Sequence, residues 1–508
     1  MSRLAARLGV TLAALTTAAA SLVVASGPAG ASEVIWPGTS SSLSVVGHGW
    51  GHGHGLSQYG ARGAALKGVT SAQILSFYYP GTTATTQASS QVRVQITANA
   101  GRPVIVSSQT GLLMRDVVTG GTRPLSTSYA KWRIGYSTTY GYVLQYLSAG
   151  SWHSFLNTSH QISFAGPSTL RLWFAPTPTV DFTYVRSTAY REELRAVANG
   201  SSMMTVNAVT MDLYLRSVVP RESPASWPAA ALQAQAVAAR SYSSYQRVSH
   251  AGNLFDVYDT TQDQVYGGYA TYSSSAAGGV VQEQVSTTTA ISATANQVRT
   301  YGGRAIFAQF SSSNGGFTAT GSQPYLRAAA DPWEQYSGNP YASWSATAAL
   351  SSLRALSGLK SIDHIYIYRQ ATTGGHVSTV QFVGLNSSNQ AATVNKTGND
   401  VRSYFGWRSD YFGFVSNGST DGGPTGAWPL VGDQIFAAQG SARVINGVSS
   451  AQAGYRGSIQ AIQREVAVTQ TGIYDSATVN GVYHWQWLVG LPGNGIVDAK
   501  TWQTMTVR

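Results

Sequence analysis

Among the residues able to do chemistry, one carboxylate stands apart. Glu222 lies in VVPRESP, between Pro220 and Pro224, in a chain with 21 acids among 508 residues. A lone acid on a proline-bracketed turn, ahead of a buried-looking helix, suits a general acid/base whose pKa is raised by burial. The competing account is structural: a carboxylate near the N-terminus of the following helix is favoured electrostatically. His48, His52 and His54 alternate with glycines in VVGHGWGHGHGLSQYGARGAALKG, residues 45–68. That spacing is open to a metal site, to local hydrogen bonding, or to lining a groove. Asp256, Asp259 and Asp263 cluster in FDVYDTTQDQVYGG. A calcium loop is one reading, but the EF-hand spacing and its turn glycine are missing. Glu334, in YLRAAADPWEQY, is a rival or auxiliary acid.

These groups need elements to hold them. From Ala229 to Tyr245 the chain is rich in alanine and free of Gly and Pro. It reads as a helix, with Ser226 as N-cap and Pro228 in the first turn. With so little side chain outside the backbone, this helix should pack close against a neighbour. Leu56–Leu66 and Ala72–Tyr78 also read as helical. Residues 90–200 alternate apolar and polar positions in VRVQITA, RPVIVSS, YVLQYL, STLRLWF and ELRAVA, which indicates antiparallel strands. Asp212 can pair with Arg216 at i, i+4. Arg240 either anchors an anionic or polyhydroxyl substrate or is tied to a structural acid. A helical stretch, Ala276–Thr294, leads to a strand, Ala305–Ser311, and then to an Asn-Gly turn in SSSNGGFTAT. Ile362–Phe414 returns to alternation and completes the core domain. Ser416–Gly426 is a flexible linker. Beyond it, two phrases repeat, Thr471-Gly-Ile-Tyr-Asp475-x-x-Thr478 and Asn494-Gly-Ile-Val-Asp498-x-x-Thr501. In each, Asp can cap a following helix.

Composition narrows the function classes. Charged residues make up 10%, and there are 54 Gly and 28 Tyr, as in β-rich extracellular proteins. The absence of cysteine excludes disulfides and thiolate metal sites. Net charge is +11 with pI near 9.6. The arginines are scattered rather than run together, which argues against nucleic acid and suits an anionic wall. Arg3 and Arg7, the apolar run Leu8–Val24 and Ala29-Gly30-Ala31 form a signal peptide pattern. No other stretch is apolar and long enough to span a membrane. The protein is expected to be secreted and associated with the cell wall.

The stretch VVPRESPASWPAAALQAQAVAARSY closely resembles the core motif of the stage II sporulation protein D / LytB family. Many relatives carry Met where this chain has Ser223. The resemblance implies a lytic transglycosylase acting on peptidoglycan glycan, with Glu222 catalytic and a preference for denuded strands. The Gly/His segment resembles a second motif of that family, which in many relatives follows the acid rather than preceding it. Closing over one site then requires a different chain path. From this match His52, Ser57 and Gln58 are expected to line the groove. Gln264 and Tyr266 fit a Tyr-Asp-x-x-x-x-Gln-x-Tyr pattern of the family. Ser313 and Asn314 sit in another family-like turn. These four, with Arg240, are the further substrate-binding candidates. Some members hold zinc through cysteines, which this chain lacks, so no metal or other cofactor is carried over.

Residues 427–508 resemble a small helical peptidoglycan-binding domain, matched at Ile459, Gln463, Gly472, Thr478, Val482, Trp485, Gln486, Gly490, Leu491, Gly495 and Trp502. The expected architecture is α+β. A signal peptide spans 1–31. A β-rich catalytic region spans 32–415, with the core motif at about 185–300 and the alanine-rich helix carrying the active-site turn. A linker at 416–426 and a small all-α domain at 427–508 complete it. Expected partners are peptidoglycan glycan strands and, as a candidate, a cell-wall amidase, with no nucleic acid and no membrane span after signal cleavage. Two alternatives stand beside the enzyme: a non-catalytic amidase enhancer, and a metal-dependent wall hydrolase using His48, His52 and His54.

Overall fold

A computed structural model describes residues 33–35, 37, 41–167, 171–174, 187–272, 280–371, 374–415, 429–430, 434–438, 444–466, 468–489 and 491–506. The expected leader at 1–31, the linker at 416–426 and Gly490 lie outside the described residues. The architecture is α+β, and it is organised around three adjoining cores and a fourth in the C-terminal region.

The alternating segments of 90–200 form the first core. One sheet runs in the order 151–158, 141–148, 131–137, 104–107, 171–174, 187–191, 270–272, 280–281. The other runs 257–258, 91–95, 202–210, 193–199, 162–165, 113–116, 122–124. Val94, Trp132, Ile134, Phe164 and Leu194 fill the core beneath them. Five helices lie beside these sheets, α1 Gln58–Leu66, α2 Ser71–Tyr78, α3 Met211–Glu222, α4 Ala229–Ser249 and α5 Val285–Ala293, and the core also receives α3. Helix α3 buries Met211, Tyr214, Leu215, Val218 and Val219, the three-and-four spacing of an inward face. Continued by four, that spacing brings Glu222 to the same side.

Helix α4 is the hub, packing on α1, α2, α3 and α5. Ala236 and Ala239 face the sheet core, while Ala234, Val237 and Ala238 face α1 and α2. The close packing expected of its alanines is borne out. Its start differs from the expectation: Pro228 is the N-cap and Ser226 makes no cap. The Pro228 carbonyl instead accepts from Ala231 and Leu232 N–H at 3.0 and 3.2 Å. Helix α5 begins at Val285, later than the reading from Ala276, and follows a two-residue strand at Val280–Val281. The expected strand Ala305–Ser311 is two short pairs, Arg304–Ala305 and Phe310–Ser311.

Residues 361–415 build a second core together with the N-terminus. Strand Ser42–Gly47 lies between Trp344–Ala349 and Phe412–Val415, and Glu33–Ile35 pairs with Ser361–Ala371. Leu43, Val45, Ile365, Phe382 and Phe412 close it.

In the C-terminal region, helices Arg456–Glu465, Ser476–Leu488 and Ala499–Thr506 surround Ile459, Ile462, Val482 and Trp502. The repeated phrases do the same job twice. Asp475 and Asp498 accept from the N–H groups of Thr478 and Thr501 at 2.9 and 2.8 Å. Gln463 and Gln486 are buried, and each donates to the hydroxyl of the matching threonine. The region is not all-α: Ile435–Phe436 and Val444–Ile445 pair in parallel. Two-residue strands are too short to show alternation in a sequence. Among the described residues no helix is long and apolar enough to cross a membrane.

Candidate active site

Glu222 is the last residue of α3, not part of a loop. Pro220 sits inside the last helical turn, and Pro224 holds Ser223 extended (φ −134°, ψ 126°), which stops the helix there. The expected proline-bracketed turn is therefore a helix C-terminus. The sign of the helix dipole is opposite to the N-terminal account, so α3 opposes a negative charge on Glu222.

The carboxyl is partly buried. Burial pushes its pKa above the ordinary glutamate value, while the Val265 N–H and the Gln58 amide pull it back. Val265 N–H donates to Oε1 at 3.2 Å and Gln58 Nε2 donates to Oε2 at 3.2 Å. The first donor comes from the 255–268 segment, the second from the Gly/His motif. The two motifs therefore meet at one acid although their order along the chain is reversed.

The Gly/His loop reaches Glu222 because it is laced between distant segments. Trp50 and Ser313 exchange backbone hydrogen bonds at 2.8 and 3.1 Å, and Gly51 N–H donates to Arg408 O at 3.0 Å. Leu56–Ser57 then pairs in parallel with Phe310–Ser311. Gly49 shows why glycine is needed: its φ is +80°, and a Cβ there would lie 2.6 Å from Ser313 O.

Several residues expected to touch substrate are found holding this frame. Ser57 caps α1 by accepting from Gly60 N–H, and its hydroxyl donates to Glu334. Ser313 donates to Glu334 at 2.7 Å, and Asn314 reaches Glu334 through its N–H and Asp331 through its side chain. All three are fully buried. Gln264, also fully buried, accepts from Tyr214 and Ser243 hydroxyls at 3.0 and 2.7 Å. The buried Tyr266 donates to Asn207 at 2.6 Å and stacks on Tyr214. Together they aim the intervening Val265 N–H at Glu222. Arg240 is buried and donates to Asp212 at 3.0 Å, so Asp212 pairs with Arg240 rather than Arg216. All six are buried and hydrogen-bonded within the fold. Polarity in a sequence does not distinguish a ligand from a buried neighbour as partner.

Glu334 is fully enclosed, accepting from Ser57, Ser313, the Asn314 N–H and Asn339. Burial, with Asp331 nearby, raises its pKa to about 7. It is a structural knot beneath the loop, not a rival acid at the surface.

His52 accepts from the His54 N–H through Nδ1 at 2.9 Å and stacks on the His54 ring. Burial, then His54, lowers its pKa to about 3, so it is neutral at ordinary pH. His48 Nδ1 lies 2.7 Å from Ala342 O, where it donates. Among the described residues no three His, Asp or Glu side chains converge on a metal position. The three aspartates of 256–263 also go separate ways: Asp256 to Arg93, Asp259 to Thr97, Asp263 to Tyr242 and Gln246. The histidine metal set and the calcium loop therefore do not form. Sequence reading missed His376, whose Nδ1 faces Asp410 and whose Nε2 lies 3.0 Å from Phe317 O. A lone histidine in an alternating strand gave no signal of it.

The Gln58 contact has a measurable consequence. Its donated bond favours the carboxylate form of Glu222. Gln58→Leu is expected to raise the Glu222 pKa further and keep the acid protonated to higher pH. The alkaline limb of any Glu222-dependent pH–rate profile should then move up, and an unmoved or lowered limb would contradict the contact.

Residues 199–301 match the family model described as Stage II sporulation protein, and residues 451–505 match the Putative peptidoglycan binding domain. The chain is 41% identical over 123 residues to a protein named Amidase enhancer from Bacillus subtilis (strain 168), covering 23% of this chain and 15% of that one. It is 28% identical over 233 residues to Stage II sporulation protein D of the same organism, covering 42% of this chain and 63% of that one. A Stage II sporulation protein D from Bacillus amyloliquefaciens is 26% identical over 255 residues, covering 48% and 68%. The matched part is thus a small share of the amidase enhancer and under two thirds of the first sporulation protein. Glu222, α3 and α4 all fall inside the first matched region and the twin Asp-capped helices inside the second, so the chain joins a domain of the Stage II sporulation protein family to a domain of the putative peptidoglycan binding family.

Proposed function

We propose that this protein, whose relatives point to a cell-wall role, is a secreted lytic transglycosylase that cleaves the bond between N-acetylmuramic acid and N-acetylglucosamine in denuded peptidoglycan strands. The observation that carries this reading is the junction at Glu222: a partly buried acid with a raised pKa, held by Gln58 from one motif and Val265 from another. Hydrolysis by retention or inversion calls for two carboxylates flanking the bond. Here Glu334 is enclosed, and Asp263, two residues before Val265, is committed to Tyr242, Gln246 and the Tyr258 N–H. A reaction that takes its nucleophile from the substrate needs one acid.

Glu222 begins protonated, favoured by burial and by its place at the end of α3. It gives its proton to the glycosidic oxygen as the C1–O bond breaks. The carboxylate so formed is steadied by the Gln58 and Val265 donors. It then takes the proton of the muramic C6 hydroxyl as that oxygen bonds to C1, closing a 1,6-anhydro ring. The proton returns to Glu222, and no water is consumed.

A second reading is favoured by the 41% identity to a protein named Amidase enhancer: the chain holds the wall and stimulates a partner amidase without cutting. Purified full-length protein incubated with denuded glycan separates the two. The enzyme yields 1,6-anhydromuramyl ends detectable by mass spectrometry, unaffected by EDTA. Absence of those ends, with amidase turnover increased on addition of the protein, would replace it with the enhancer.

A further inference from the structure

A file of aromatic rings leads away from Glu222. Trp227, five residues past the acid, packs edge-on to Tyr59 at 4.9 Å, and Tyr59 directly follows Gln58. Tyr59 meets Tyr341 at 5.3 Å, and Tyr341 meets Trp50 at 4.7 Å, both near perpendicular. Trp227 is buried, the two tyrosines are half-buried, and Trp50 is 44% exposed. The file thus rises from the core beside the acid to the surface. Edge-to-face packing fixes the rings, so a ligand meeting Trp50 orders little new side chain.

Two cations accompany it. Arg62 lies over Trp227 and Tyr336 at 5.5 and 5.7 Å, and Arg408 over Trp50 and Tyr341 at 5.3 and 5.6 Å. Arg62 donates to Gly338 O at 2.9 Å. Among the described residues neither guanidinium has a carboxylate within ion-pair distance. In a protein with 32 basic and 21 acidic residues, cations stacked on rings beside an acid site are suited to an incoming anion. Rings offer faces to pyranose sugars, and guanidinium groups offer paired donors to a carboxylate.

We propose that Trp50, Tyr341 and Tyr59, with Arg408 and Arg62, form an extended subsite for a glycan bearing free carboxylates. In peptidoglycan that carboxylate is the lactyl group of muramic acid once its peptide stem is removed. The choice of this ligand rests on the reading of Glu222 given above. Arg408 is then a specificity determinant: it distinguishes a stripped strand, with its charge exposed, from one whose lactyl group is still an amide.

The test uses the full chain carrying Glu222→Gln, so that ligand is held rather than cut. The probes are a denuded glycan tetrasaccharide and a neutral N-acetylglucosamine tetramer. Calorimetry gives affinities, and hydrogen exchange with mass spectrometry locates binding. Denuded glycan is expected to protect residues 48–60 and 338–344. Adding Trp50→Ala should remove that protection and weaken both probes about tenfold. Adding Arg408→Ala should weaken the denuded probe about five- to tenfold and leave the neutral probe unchanged, with Arg408→Lys recovering part of the loss. Melting curves report whether each variant is folded. Protection confined to 451–505, or equal loss of both probes on Arg408→Ala, would overturn the subsite. If wild-type protein makes anhydro ends while the subsite fails, the enzyme reading survives alone. If no ends form while Arg408 still discriminates, the subsite survives in a binding protein.

Discussion

Glu222→Gln is expected to cut the yield of 1,6-anhydro ends by about a thousandfold or more, since in the proposed reaction one group serves as both acid and base and such catalysis supplies roughly 10²–10⁴. Glutamine keeps the shape: its single amide oxygen can accept from the Val265 N–H, and its NH2 group then meets Gln58, whose amide turns to present oxygen, but it has no acidic proton to give. The same variant should be more stable than wild type at neutral pH. The folded-state pKa of Glu222 is raised, by burial first. Ionising the group therefore costs more in the folded chain than in the unfolded one. That cost is absent below the unfolded pKa, grows as pH rises from about 4.3, and is complete above the folded pKa. Melting curves should show Glu222→Gln above wild type at pH 7–8 and level with it below about pH 4. A mutant that keeps making anhydro ends would remove Glu222 from the chemistry. One destabilised at neutral pH would mean the carboxylate is structural.

Glu334→Ala should give the largest loss of stability. It strips the acceptor from the Ser57, Ser313 and Asn339 side chains and the Asn314 N–H, all buried. Unsatisfied buried donors cost about 1–3 kcal/mol each, and the two serine hydroxyls can turn toward other acceptors. Denaturant unfolding should register a drop of about 3–5 kcal/mol. The pH dependence has a definite sign. Glu334 moves from 4.5 to about 7 on folding, so the folded chain binds more protons between those values. Its contribution is fully present below about pH 4.5 and is lost as pH rises through about 7. Glu334→Gln should flatten wild-type stability across that window. Activity should fall with Glu334→Ala as well, because Ser57 fixes the start of α1, where Gln58 sits.

How much of this was legible depends on the residue. The inward face of α3 and the alanine helix are periodic and local, so the acid and its hub could be found from spacing. Pro220 misled, because a proline in the last turn of a helix removes only the bond to Arg216 O and is tolerated there. Ser57, Ser313, Asn314, Gln264, Tyr266 and Arg240 were visible as polar residues in motifs, but their partners come from far along the chain. The joining of Leu56–Ser57 to Phe310–Ser311 takes two residues on each side, below the length at which alternation appears. The aromatic file was not legible at all: Trp50 and Tyr59 share the Gly/His segment, but Trp227 and Tyr341 come from two others far along the chain.

The lacing of the Gly/His loop has a consequence for how the molecule comes to work. Gln58 is brought to Glu222 by a segment whose backbone partners are Ser313 and Arg408. A ribosome that has released only as far as residue 301 has made the whole family-matched stretch but not the clamp. The acid is finished in covalent terms long before it is finished in space, so a half-made chain carries Glu222 without its Gln58 partner.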